Sequence, residues 1–142
     1  MPFMVESDFI IALNRIDDQY HVHARRIISS GEKLFLSPYS LMEINLGSRA
    51  ISDNDHDNNI SAFMTELAKV VEGYDNLQQI PDKPDYHAKA ALLEQKYCLS
   101  FFDSLHAAVA IEEGYTMISA DSQYQKIKEL VSINPRKFER SL

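Results

Sequence analysis

The strongest constraint on this sequence is its alternation of short apolar runs with longer segments of helical period. Residues 3–5, 34–36, 77–80, 115–118 and 131–133 are short and rich in apolar or β-prone side chains, so they read as strands. Between them Phe9, Ile10 and Leu13 share a helical face behind Ser7, read as a cap. Tyr20, Ala24, Ile27 and Ile28 do the same over 18–30, where Gly31 supplies a stop. Ser37 before Pro38 reads as a cap with proline at the first helical position, opening a helix toward Ile51. Further helices are expected over 60–72, 86–97, 103–113 and 121–130, and the polar stretch 52–59 reads as a loop or a frayed helix start. Strands that alternate with helices build an α/β fold, a three-layer α/β/α sandwich around a central, mostly parallel sheet.

A chain of 142 residues is the usual size for one hydrophobic core, so a single domain over 1–142 is expected. The formal net charge of −7 excludes a broadly basic nucleic-acid coat, and any RNA or DNA contact must be local. Cys98 is the only cysteine. An intramolecular disulfide, a zinc ribbon and a CxxC redox centre are therefore impossible, and Cys98 itself, beside Leu99, reads as core. The longest apolar runs, 9–13 and 107–111, are far too short to cross a hydrocarbon layer of roughly 30 Å. Glu6 and Asp8 fall where a signal peptide would be uncharged, so a soluble, cytoplasmic protein is expected.

Acidic residues recur at comparable places in this alternation. Glu6 follows the first strand, Glu43 lies in the helix after the second, Asp103 opens a helix, and Asp121 follows a late strand. Parallel sheets bind ligands beyond the carboxyl ends of their strands, where strand order reverses, so these acids can meet although they are far apart in sequence. Oxygen ligands gathered in a cleft suit Mg2+ or Mn2+. With 21 acids in the chain, chance placement gives the same pattern without a site.

Four runs, VESDFIIAL at 5–13, SPYSLMEI at 37–44, LSFFDSLHAAVA at 99–110 and ISAD at 118–121, resemble in order and spacing the motifs of the PIN-domain family, most of all its VapC-type toxin branch. The resemblance implies a Mg2+- or Mn2+-dependent endoribonuclease that leaves a 5′-phosphate and a 3′-hydroxyl. It also implies a homodimer with a cognate antitoxin protein. By the same resemblance Glu43, Asp103 and Asp121 take the second, third and fourth acidic positions of the family. At the first position the family usually has Asp before a small hydroxyl residue, and here Glu6 precedes Ser7. Glu6 is one methylene longer, which displaces a bound ion by about a bond length. Asp8 is a candidate to share that role, with a first-turn acid at a helix N-terminus as its plain reading. Ser119 is the candidate to hold a water on the ion.

A carboxylate-bound cation makes a protein nucleophile unnecessary, and the chain has neither a GxSxG elbow nor a GxxxxGK phosphate loop. His21 and His23 are two apart on a helix and point to different faces, so they read as surface residues. His106 reads as a partly buried histidine with one hydrogen bond. The DNDHD run at 53–57 lacks the glycine and distal glutamate of a calcium loop. Arg15, Arg25, Arg26, Lys33 and Arg49 are candidates to flank the cleft for phosphate contact, with ordinary surface charge as the alternative. The rival function is a PIN-like module for RNA or protein binding whose metal site Glu6 has weakened. A receiver-like signalling domain would require a lysine after a late strand, and 119–123 has none.

Overall fold

The computed structural model describes residues 2–51 and 56–139. Five short strands, β1 (Phe3–Val5), β2 (Leu34–Leu36), β3 (Leu77–Gln79), β4 (Thr116–Ile118) and β5 (Ser132–Ile133), form one sheet in the order β3-β2-β1-β4-β5. All four pairings are parallel. Strand alternation sends neighbouring side chains to opposite faces and so divides the core in two. Phe3, Val5 and Ile118 pack under α1 (Ser7–Asn14), α2 (His21–Ile28), α3 (Ser40–Ile51) and α4 (His56–Glu72). Met4 and Met117 pack under α5 (Pro84–Tyr97) and α6 (Phe101–Glu113). The expected three-layer sandwich is the observed one. Among the described residues, no helix is long and apolar enough to cross a membrane.

Several boundaries differ from the sequence reading for local reasons. Glu6, not Ser7, caps α1: its carboxylate accepts from Asp8 N at 3.0 Å, which frees the Ser7 hydroxyl to turn inward. Pro38 lies in a turn, with Ser37 Oγ accepting from Tyr39 N at 3.3 Å, and α3 starts only at Ser40. Helix α2 starts at His21 because the Asp18 side chain accepts from Tyr20 N and holds the preceding residues in a turn. The helix expected over 121–130 is a single 3₁₀ segment, Ser122–Lys126. Tyr124 within it and Ile127 and Leu130 after it are buried at every third residue, a spacing that mimics an α-helical face in sequence.

Cys98 is exposed rather than core, and closes α5 in the left-handed conformation with φ 56°. Of the polar stretch read as a loop, residues 52–55 lie outside the described residues, and α4 begins at His56. The DNDHD run lies partly outside them as well. Arg26 does not flank the cleft. It donates to the carbonyls of Pro135 and Phe138 and sits over the Phe138 ring, pinning the last described segment to α2.

Candidate functional site

Strand order reverses between β1 and β4, and the carboxyl ends of β1, β2 and β4 open on one side of the sheet. A cavity of about 480 Å³ lies there, lined by Glu6, Asp8, Glu43, Asp103 and Asp121 among others. All four acids expected at the site therefore line one cavity, and Asp8 joins them. Glu6 leaves β1 directly, α3 carries Glu43, the first turn of α6 carries Asp103, and Asp121 caps the 3₁₀ segment after β4 by accepting from Gln123 N. Ser119 is absent from the lining. Its hydroxyl donates to Asp8 Oδ2 at 3.1 Å and accepts from Asp121 N at 3.1 Å, so it braces the loop that presents Asp121. Asp8 Oδ2 also accepts from Ala120 N at 2.8 Å, which fastens the start of α1 to the same loop.

Three neighbours carry little weight in the sequence reading. His106 is completely buried and bridges two elements rather than making one bond, with Nδ1 2.6 Å from Ser37 Oγ and Nε2 2.8 Å from Glu43 Oε1. The Ser7 hydroxyl donates to the same Glu43 oxygen. The Tyr124 hydroxyl lies 3.2 Å from both Glu6 Oε2 and Asp103 Oδ1. For His106 a signal existed: it stands three residues after Asp103, on the same face of α6. Tyr124 could be placed only once the 3₁₀ turn had been recognised.

These contacts divide the acids electrostatically. Burial and then the charge of Asp8 push the Glu6 carboxyl well above its ordinary value. Burial and the Asp121 charge raise Asp103, against opposing hydrogen bonds from Ser100 and Tyr124. Burial would also raise Glu43, but the bonds from His106 and Ser7 outweigh it and hold the group below its ordinary value. Negative charge is thus concentrated without full compensation. The donor set fits a hard divalent cation on chemistry: carboxylates line the cavity, one oxygen each from Glu6 and Glu43 lies within 4.8 Å of the other and of a His106 nitrogen, and Asp8 Oδ1 is buried without a partner. Both His106 nitrogens already have partners, which leaves coordination to the carboxylates.

A stability test follows from Glu6. Its raised folded-state value means that the fold binds the proton more tightly than the unfolded chain does. The resulting stabilisation is complete below the unfolded value and is lost as pH rises through the folded one. In chelator, Glu6→Gln should therefore exceed the parent in stability by about 1 kcal/mol at pH 8, and the gap should close as pH falls toward the ordinary carboxylate range. Paired melts across pH read that difference directly, and a pH-independent gap would remove Glu6 as its source.

Of the cations suggested by the sequence, Arg15 lines the cavity, Lys33 lies over the Phe35 ring, and Arg49 donates to Asn45. A parallel sheet in this order, with acids from four separate segments at its switch point, defines a class of acidic-cleft α/β proteins. The chain belongs to the PIN domain family, whose model matches residues 3–130. Among solved structures it resembles VapBC2 from Rickettsia felis bound to a promoter DNA fragment, with TM-score 0.66, 17% identity, and 94% of this chain and 98% of that one covered. FitAcB from Neisseria gonorrhoeae gives TM-score 0.67 at 15% identity over 96% and 99%. Mycobacterium tuberculosis VapC20, described as a Sarcin-Ricin loop cleaving toxin, gives 0.66 at 18% over 87% and 93%. At such identities the likeness is one of fold. No curated protein matches the chain.

Proposed function

We propose that this chain is a divalent-metal-dependent endoribonuclease, the toxin of a VapBC-type toxin-antitoxin pair, working as a single cytoplasmic domain in a homodimer. The observation that carries the reading is the convergence of Glu6, Glu43, Asp103 and Asp121 on one cavity from four separate segments. These four residues, with Asp8 beside them, would hold Mg2+ or Mn2+. When bound, the cation supplies positive charge against a phosphodiester and acidifies water. Glu43 stays ionised because His106 and Ser7 hold it so, and Asp103 and Asp121 oppose one another until that charge arrives. Ser119 contributes through its brace on Asp8 and Asp121.

Incubation of the purified protein with a mixed RNA pool and Mn2+ should give products with 5′-phosphate and 3′-hydroxyl ends, and chelator should stop the reaction. Glu6→Gln should lower the rate about tenfold, while Glu6→Asp, which keeps the charge, should cost less. Cleavage that ignores chelator would end the reading. Equal rates in the two variants would take Glu6 out of the ligand set.

The acids also suit a partner. An antitoxin segment lying across the cleft could present Arg or Lys to them, since arginine pairs bidentately with carboxylates. Co-purification from the native host checks this, and recovery of the fully active chain alone at native abundance would remove the antitoxin. One observation favours the rival binding module: Glu6 is engaged at both carboxylate oxygens, by Asp8 N and by the Tyr124 hydroxyl. Tight RNA binding without metal and without cleavage, followed in a salt titration, would support that module.

A further inference from the structure

We propose that Tyr124 is a positioning residue, whose hydroxyl fixes the separation of Glu6 and Asp103 across the cleft and so sets the affinity of the site for a divalent cation. The proposal rests on the metal-nuclease reading above. Tyr124 has no exposed surface and its ring belongs to the core under α5 and α6. A phenylalanine would fill the same space without burying a hydroxyl, which is unfavourable unless that hydroxyl is bonded. What the oxygen adds is its pair of contacts, 3.2 Å to Glu6 Oε2 and 3.2 Å to Asp103 Oδ1.

One phenolic hydroxyl faces two carboxyl oxygens at equal distance, so it orients both groups without bringing a charge of its own. That is a suitable arrangement for groups that must also face a cation. Glu6 has the most to gain, because its longer side chain carries an extra torsion, and two bonds now restrain it: Asp8 N on Oε1 and Tyr124 on Oε2. Tyr124 also lies in the short 3₁₀ segment that Asp121 caps, so one turn presents an acid and aligns two more. Supporting groups that orient ligands are typically worth about 10- to 100-fold in metal affinity.

Tyr124→Phe keeps the ring and removes only the oxygen. Binding of Mn2+ alone, followed by the electron paramagnetic resonance of the free ion, should weaken about tenfold in this variant while its melting stays close to the parent's. Affinity within twofold of the parent would overturn the proposal. A second readout needs neither metal nor activity: the chain has seven tyrosines and no tryptophan, so its near-ultraviolet band reports tyrosine hydroxyls directly. In chelator, Glu6→Gln and Asp103→Asn should each shift that band, and neither should do so when Tyr124→Phe is also present. Unchanged spectra in both single variants would overturn the clamp even if Tyr124→Phe failed to fold. A parent that bound no Mn2+ would defeat the metal-nuclease reading, and the spectra would then judge the clamp on its own.

Discussion

Asp103→Asn should reduce Mn2+-dependent RNA cleavage by on the order of a hundredfold or more, the scale seen when one charge-stabilising group is removed from a preorganised site. The change isolates charge from shape. Asp103 lies in the first turn of α6, where its backbone N–H is capped by Ser100 Oγ at 3.2 Å, a bond that Asn keeps, while Ser100 and Tyr124 also bond the carboxylate. The Asn amide oxygen can still accept from Tyr124. What disappears is an ionisable group that burial and Asp121 already push up, one whose negative form has least reason to persist without a cation. Among the four acids it is the cleanest test. Glu6 also caps a helix, Asp121 caps the 3₁₀ segment, and Glu43 anchors a buried histidine. Rates should be measured on parent and variant purified identically, with chelator controls. Cleavage that persists unchanged in the variant would indicate a contaminating nuclease and withdraw the assignment.

The sequence makes the centre of the sheet legible because β1, β2 and β4 are buried or nearly so on both faces, and such strands stand out as short apolar runs between helical segments. Residues 3–5 and 34–36 match β1 and β2 to the residue. Acids at the ends of these strands are equally visible, since the parallel-sheet rule says where they point without any knowledge of side-chain contacts. What stays hidden is long-range bonding. Ser7 looks like a helix cap because small hydroxyl residues favour that position, yet its partner Glu43 is 36 residues away. Tyr124 looks like one apolar position of an amphipathic helix, and only its hydroxyl, invisible to periodicity, ties it to Glu6 across 118 residues. The same limit explains Arg26, whose partners Pro135 and Phe138 lie more than 100 residues on. Charge counts show only that acids outnumber bases, 21 to 14. They do not show which base reaches the cleft, and Arg15 is the cation lining the cavity among the described residues.

His106→Ala should destabilise the fold by about 3 kcal/mol, lowering the melting temperature by roughly 10 °C, through two mechanisms that a second variant separates. The ring is fully buried in α6, so its removal leaves a void. It also strands two polar groups. The Glu43 carboxylate can only accept, so Nε2–H donates to it, and Nδ1 is left to face the Ser37 hydroxyl. Ser37 N in turn donates to Val5 O at 3.0 Å, so the histidine ties α6 to the point where β1 and β2 end and the cleft begins. His106→Phe refills the space without restoring either bond, and about 2 kcal/mol of the loss should remain. If His106→Phe melts like the parent, the hydrogen bonds contribute nothing and the void explains the whole effect. In both variants Glu43 keeps only Ser7 of the two bonds that hold it below its ordinary value, so its carboxyl should titrate higher than in the parent. A His106→Phe protein that lost stability but kept the parent's Glu43 titration would show that the ring supports the fold without setting the charge of the site.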